Sequence, residues 1–287
     1  MSSKTLDNRP GRVLIGVAML LTAGFGAAAI ADTRSADTTS VAANETAEIA
    51  RQLNNPIAAL ISVPLQLNYA KDLGPTKDGE SYVLNVQPVI PIHLNADWNL
   101  ISRTIVPVIK LEDVPPGNDE SGVGDVLQSL FFSPTALADG WTWGVGPALS
   151  LRTATDDLLG AEKWSAGPTA VALKQEHGWT YGMLANHLWS YAGNGDDADV
   201  DATFLQPFLV YTTATHTSFA LNTESTYNWE SNDWSVPINL MVTQVFKVGK
   251  QIQSLQVGTS YYADTPEGVG PEGWGARLTY TLVFPQK

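Results

Sequence analysis

The stretch WGARLTYTLVF, residues 274–284, decides the fold class. Every second residue from Trp274 to Phe284 is apolar, and the positions between them include Arg277 and Thr279. Successive side chains of a β-strand point to opposite faces, so this two-residue period predicts a strand with one apolar and one polar face. A helix would instead repeat its apolar positions every three to four residues.

The same period recurs along the chain and predicts strands of mostly ten to fourteen residues. That is about twice the usual strand length in soluble sheets and about the length that a tilted strand needs to cross a bilayer. Longer connections alternate with shorter ones, as in bacterial barrels with long external loops and short periplasmic turns. We therefore predict an all-β fold, a transmembrane antiparallel up-and-down β-barrel of about twelve strands. The strands are expected at 57–69, 81–94, 97–111, 122–133, 140–153, 164–176, 179–191, 200–213, 217–229, 234–247, 251–263 and 274–284.

The nine tryptophans lie near the ends of these strands, where an indole ring at a membrane interface keeps its N–H wet and its body in an apolar layer. Two rows are predicted to form the aromatic girdles of the barrel. The row at the short-turn end is Trp98, Trp141, Trp143 and Trp179, and the row at the long-loop end is Trp164, Trp189, Trp229, Trp234 and Trp274.

The N-terminus has the pattern of an export signal. Lys4, Arg9 and Arg12 precede an apolar run over 13–28, which ends in a small-x-small site at 29–31. We predict a signal peptide over 1–31, a periplasmic linker or short helix over 32–55, and the barrel over 56–287. Between a plug in the periplasmic mouth and a linker, the segment 32–55 is expected to be a linker, because so short a helix is marginal without packing.

Charge and composition exclude several classes of function. The 287 residues include 16 basic and 29 acidic ones, a net charge of −13, which disfavours nucleic acid as a partner. The absence of cysteine removes thiol catalysis and thiolate metal sites. The histidines are too far apart in sequence for a zinc motif, and Asp156, Asp157 and Glu162 lack a calcium-loop pattern. No cofactor and no metal are expected. The four histidines are His93, His177, His187 and His216.

Several stretches resemble a bacterial outer-membrane family labelled transporter, or putative MetA-pathway of phenol degradation, whose members are often misnamed neuromedin U. The resemblance covers roughly residues 54–286 and implies an outer-membrane barrel with a transport role, without a shared catalytic set. The stretches are NPIAALISVPLQ (55–66), DWNLISRT (97–104), GVGD (122–125), QSLFFSP (128–134), WGVGP (143–147), ATDDLLG (154–160), GPTA (167–170) and NTESTY (222–227).

The lumen face is where a transport function would reside. We expect charged residues on the polar faces of the strands to line the lumen. The candidates are Arg103, Arg152, Glu224 and Arg277. We predict a channel in the outer membrane for uptake of small solutes, aromatic or apolar ones among them, and not an enzyme. Its expected partners are outer-membrane lipid, the barrel-assembly machinery and the small-molecule solute.

Two alternatives stay open at this point. One is a structural or adhesive barrel with a filled lumen and no solute flux. The other is an outer-membrane lipase, because His216-Thr217-Ser218 offers a base and a hydroxyl two residues apart, with Asn222 and Asn228 downstream. The lipase is disfavoured because the predicted topology puts His216 at a periplasmic turn.

Overall fold

The computed structural model describes residues 46–136, 139–193, 195, 197–249 and 251–284. The predicted signal peptide and residues 32–45 lie outside this part of the chain. The described residues form fifteen strand segments: β1 Ile61–Leu73, β2 Gly79–Val86, β3 Val89–His93, β4 Trp98–Glu112, β5 Glu120–Val123, β6 Val126–Pro134, β7 Trp141–Leu151, β8 Lys163–Glu176, β9 Trp179–Gly193, β10 Asp201–Thr212, β11 Thr217–Thr223, β12 Ser225–Asn228, β13 Asp233–Val248, β14 Gln251–Asp264 and β15 Gly273–Phe284.

These segments form one antiparallel sheet that closes on itself, because β15 pairs with β1 from Ile61 to Tyr69. Three barrel strands are each split in two: β2 and β3 flank Gln87 and Pro88, β5 and β6 flank Gly124 and Asp125, and β11 and β12 flank Glu224. Pro88 has no N–H to donate to the ladder. Counted with each split pair as one strand, the barrel has twelve strands, which confirms the predicted fold class.

The two faces of the terminal strand alternate as the sequence predicts. Leu278 lies opposite Leu67 on β1 and is 47% exposed, whereas Thr279 lies opposite Gln66 and is 1% exposed. Thr279 therefore faces the lumen and Leu278 faces outward.

The outer face of the barrel is an apolar belt. Large apolar side chains are exposed around the whole wall, among them Ile90, Phe132, Leu209, Leu240 and Val257. The strands of the described ranges pair all the way around the barrel, so this face is suited to lipid.

Eight of the nine predicted girdle tryptophans are more than a third exposed, and all nine lie at or near strand ends. The exception is Trp143, which is half-buried with its ring edge-on to Trp98, 6.0 Å between centroids. Trp98, Trp141 and Trp179 are each the first residue of a strand at the short-turn end. Trp164, Trp189, Trp229, Trp234 and Trp274 lie at the long-loop end.

The first strand begins four residues later than predicted, at Ile61 instead of residue 57. The Asn55 Oδ1 atom accepts a hydrogen bond from the Ile57 N–H, and the Asn55 carbonyl accepts one from Ala58, so the chain turns here. Ile57 is 3% exposed and packs inside the barrel. Ile57, Ala58 and Leu60 are thus buried inside the barrel and are not part of a strand.

Residues 46–53 form a helix, α1, inside the short-turn end of the barrel. Ile49 and Ala50 of α1 are buried against Val245, Ile252 and Val283, which lie at the short-turn ends of β13, β14 and β15. The described part of the N-terminal segment, 46–55, is therefore packed and not the free linker that the sequence favoured. Tertiary contact supplies the stability that an isolated helix of this length lacks. No helix in the described ranges is long and apolar enough to cross a membrane.

Candidate functional site

The lumen has a polar wall, formed by β13, β14, β15, β1 and β2 with the ends of β11 and β12 and Gln206 of β10. At its centre Arg277 and Glu224 form an ion pair, 3.1 Å between Nη2 and Oε2, with 3% and 0% of their side chains exposed. Arg277 also donates from Nε to Asn68 Oδ1 at 2.8 Å and from Nη2 to Asn239 Oδ1 at 3.3 Å. A buried pair of this kind persists only when further hydrogen bonds satisfy both partners.

Amide side chains satisfy the carboxylate of this pair. Gln206 Nε2 donates to Glu224 Oε1 at 3.1 Å and Asn222 Nδ2 donates to the same oxygen at 3.3 Å. Asn239 in turn donates to Asn222 Oδ1 at 2.8 Å. Several strands are thereby joined by one hydrogen-bonded layer across the polar side of the lumen, which we call the lumen network.

Arg103 lies in a second polar group. Its Nη2 atom donates to Gln87 Oε1 at 2.9 Å, and Gln87 donates to Gln66 Oε1 at 3.3 Å. Arg103 is 3% exposed. The structure thus places Arg103, Glu224 and Arg277 inside the barrel.

Arg152 does not join them. Strand β7 ends at Leu151, so the two-residue period no longer fixes the direction of the next side chain. The Arg152 side chain is 41% exposed and pairs with Glu162 in the connection that follows β7. Its predicted place in the lumen is corrected to the long-loop end.

The opposite wall of the lumen is apolar, and the sequence did not predict it. Large hydrophobics of β4, β6, β8, β9 and β10 form a buried cluster here, at positions where a water-filled barrel carries polar side chains. Other inward positions of these strands are polar, among them Arg103, Ser129 and Gln206. This apolar wall runs from Phe204 to Ile57, the residue that follows α1 and its turn. Its members are Ile57, Ile101, Ile105, Leu127, Phe131, Ala148, Val171, Leu173, Leu184 and Phe204.

Inward side chains of both walls fill the lumen. Gln206, Glu224 and Asn239 on the polar side have no exposed surface, and neither do Phe131 and Leu173 on the apolar side. A continuous water-filled pore would leave such side chains partly exposed. In the described residues the passage is therefore closed.

A cavity of about 570 Å³ lies above this closure, at the long-loop end. Its apolar surface includes Leu73, Leu188 and Phe204, and polar side chains such as Asn186 and Thr226 also line it. We call it the outer cavity. At the other end α1 covers the lumen: Arg51 Nη1 donates to Gln175 Oε1 at 2.8 Å, and Asn54 Nδ2 donates to Thr212 Oγ1 at 2.9 Å.

The residues of the lipase alternative do not form a catalytic arrangement. Ser218 is fully buried, and its Oγ lies 3.0 Å from Thr212 Oγ1 and accepts from Asn54 Nδ2 at 3.4 Å. His216 sits in the turn before β11 with a φ of 62°. Asn222 belongs to the lumen network instead of orienting a base. Within the described part of the chain, no group of three His, Asp or Glu side chains could hold a metal ion.

Comparison with solved structures supports the fold. The chain is similar to an outer membrane channel from Pseudomonas putida F1, with a TM-score of 0.63 and 17% identity over 79% of this chain and 96% of that one. A weaker likeness is to the β domain of the Bordetella autotransporter BrkA. Its TM-score is 0.46, with 12% identity over 79% of this chain and 100% of that domain. Outer membrane phospholipase A of Escherichia coli follows, with a TM-score of 0.40 and 12% identity over 78% of this chain and 92% of that one.

No protein-family model matches the chain, and comparison with curated proteins gives no match. The likeness to the channel therefore establishes the fold, and the family resembled by the sequence stays a prediction. The closed barrel and its apolar belt are those of an outer-membrane protein.

Proposed function

We propose that the protein is an outer-membrane channel for small solutes, aromatic and apolar ones among them, and that it belongs to the putative transporter family that its sequence resembles. The observation that carries the proposal is the two-sided lumen. A hydrated pore for ions or sugars does not need a continuous apolar wall, whereas a solute with an apolar body gains contact area along one.

The apolar wall supplies such a surface over much of the length of the barrel. It begins at the outer cavity, where Phe204 belongs to both, and reaches Ile57 beside α1. The lumen network faces it and offers hydrogen-bond partners to a hydroxyl or amino group on the same solute. Passage requires the two walls to separate at the closure and α1 to move from the short-turn mouth.

A second candidate is a structural barrel. The fully buried lumen network favours it, because a filled interior braces a barrel whether or not anything passes. The lipase has no comparable support, since the geometry around Ser218 offers no free nucleophile.

The experiment that separates channel from structural barrel is solute entry into proteoliposomes that contain the folded protein. Phenyl glucoside and methyl glucoside form a matched pair, because the sugar hydroxyls keep both from crossing lipid rapidly. The channel predicts entry of both above protein-free liposomes, with the phenyl compound faster despite its size. If neither glucoside enters faster than into protein-free liposomes, the channel is contradicted and the structural role is favoured.

A further inference from the structure

We infer that the outer cavity is a binding site for small molecules in which an aromatic or apolar body carries a protonated amine. The inference rests on the proposed function, for which the outer cavity is the entry site, and adds the charge of the preferred solute. It is argued from the shape of the cavity, one buried amide and the carboxylates of the lining.

The size and surface of the outer cavity suit a small organic molecule. Its volume of about 570 Å³ lies in the range of small-molecule sites, about 300–1,000 Å³. Phe204 and Leu188 provide an apolar surface against which a ring would pack. Such sites combine apolar lining with a few polar groups that fix the orientation of the ligand.

Asn186 supplies one polar group of this kind. The residue is 6% exposed and lines the outer cavity from β9. Its backbone pairs with Thr169 and Phe204, but no described residue makes a hydrogen bond with its side-chain amide. A ligand that enters the outer cavity displaces water from this amide, so a ligand that hydrogen-bonds to it is favoured over one that leaves it unsatisfied. The amide oxygen can accept from an ammonium group.

The charged residues that line the outer cavity are all acidic. Three of the five already have partners. The Asp125 carboxylate accepts from the backbone N–H groups of Thr153 and Ala161, Asp199 pairs with Lys163 at 3.0 Å, and Asp201 lies 3.0 Å from His187 Nε2. The lining carboxylates are Asp125, Asp199, Asp201, Glu230 and Asp233.

The contact with Lys163 also keeps Asp199 negatively charged. A hydrogen bond from Lys163, with another from Ser190, lowers the pKa of Asp199 below its ordinary value, so this carboxylate stays ionised. Glu230 and Asp233 are left without an ion-pair partner among the described residues. No lysine or arginine of the described chain lines the outer cavity. The resulting field attracts a cation and repels a carboxylate.

The test uses three probes that share a phenyl ring and a two-carbon arm: phenethylamine, 2-phenylethanol and phenylacetate. Their affinities for the folded barrel in detergent are measured by calorimetry, without any flux. We expect the amine to bind most tightly, the alcohol about two- to fivefold more weakly, as for a partly exposed charge pair, and the carboxylate weakest.

Two sets of variants locate the effect. The double change Glu230→Gln and Asp233→Asn should lower the affinity for the amine to that for the alcohol. It should leave the affinity for the alcohol unchanged. Its charge-matched control, Asp78→Asn and Glu267→Gln, alters exposed acids outside the lining and should change neither. Asn186→Leu should weaken the binding of both the amine and the alcohol.

Equal binding of amine and carboxylate would overturn the inference, as would an amine preference that survives the double change or no binding of any probe. Because binding is measured at equilibrium, amine-selective binding by a solute-tight barrel would leave this site in place and refute only the channel. Glucoside flux without amine-selective binding would support the channel and refute this binding site.

Discussion

The buried pair of Arg277 and Glu224 makes the lumen sensitive to the loss of either charge. Arg277→Met would leave the Glu224 carboxylate buried without its paired guanidinium, at a cost of about 3–5 kcal/mol. The double change Arg277→Met and Glu224→Gln removes both charges and should recover most of that loss. Denaturant unfolding of the four proteins checks this as a double-mutant cycle, and additive losses would show that the two residues do not act as a pair.

Leu278 tests the outward face at the scale of one side chain. It lies near the middle of β15 and is exposed on the belt, so Leu278→Arg would place a charge against hydrocarbon at a cost of about 2–4 kcal/mol. Leu278→Phe keeps the site apolar and is the control. The folded, heat-modifiable fraction in outer membranes should fall for the arginine variant alone, and equal recovery of both variants would mean that this face does not contact lipid.

The positions of some single residues could be predicted from the sequence, and those of others could not. Arg277 could be placed inside from the two-residue period, because it lies within β15. Arg152 could not, because it follows the last residue of β7. Glu224 keeps the inward direction of Asn222 although β11 ends at Thr223. The partner of each charge depends on which strands lie nearby in the closed barrel, and this is not written in any local pattern.

At the scale of elements, the strands were the most predictable feature. Alternation and turn chemistry are local, and the two-residue turn at His177 and Gly178, with φ values of 50° and 83°, joins β8 to β9 where the sequence places it. The apolar wall was missed because membrane barrels ordinarily carry polar residues inside. The docking of α1 was missed because its stability comes from contacts distant in sequence.

The docking of α1 can be tested by chemical labelling, since the chain has no cysteine of its own. Ser218→Cys places a thiol at a fully buried position beside Asn54. It should resist maleimide in the otherwise unchanged protein and react when Ile49→Asp breaks the packing of the helix. Ser129→Cys, buried on the β6 side of the lumen, should stay protected in both. Labelling at Ser218→Cys in both backgrounds would show that α1 does not cover this end.

At the scale of the whole molecule, the barrel predicts a topology. Asn118 is exposed in the long connection between β4 and β5, and Asn95 is exposed in the short turn before β4. An epitope inserted near Asn118 should be detected by antibody on intact cells, and one near Asn95 only after the outer membrane is broken. The reverse pattern would invert the orientation of the barrel.

Passage of the solute along the apolar wall is tested most directly by glucoside flux in a wall variant. Phe204→Asn changes the residue that the wall and the outer cavity share. With folding verified by heat modifiability, the entry rate of phenyl glucoside relative to methyl glucoside should fall severalfold, because apolar contact is lost, while methyl glucoside still enters. An unchanged ratio of the two rates would contradict passage along the apolar wall.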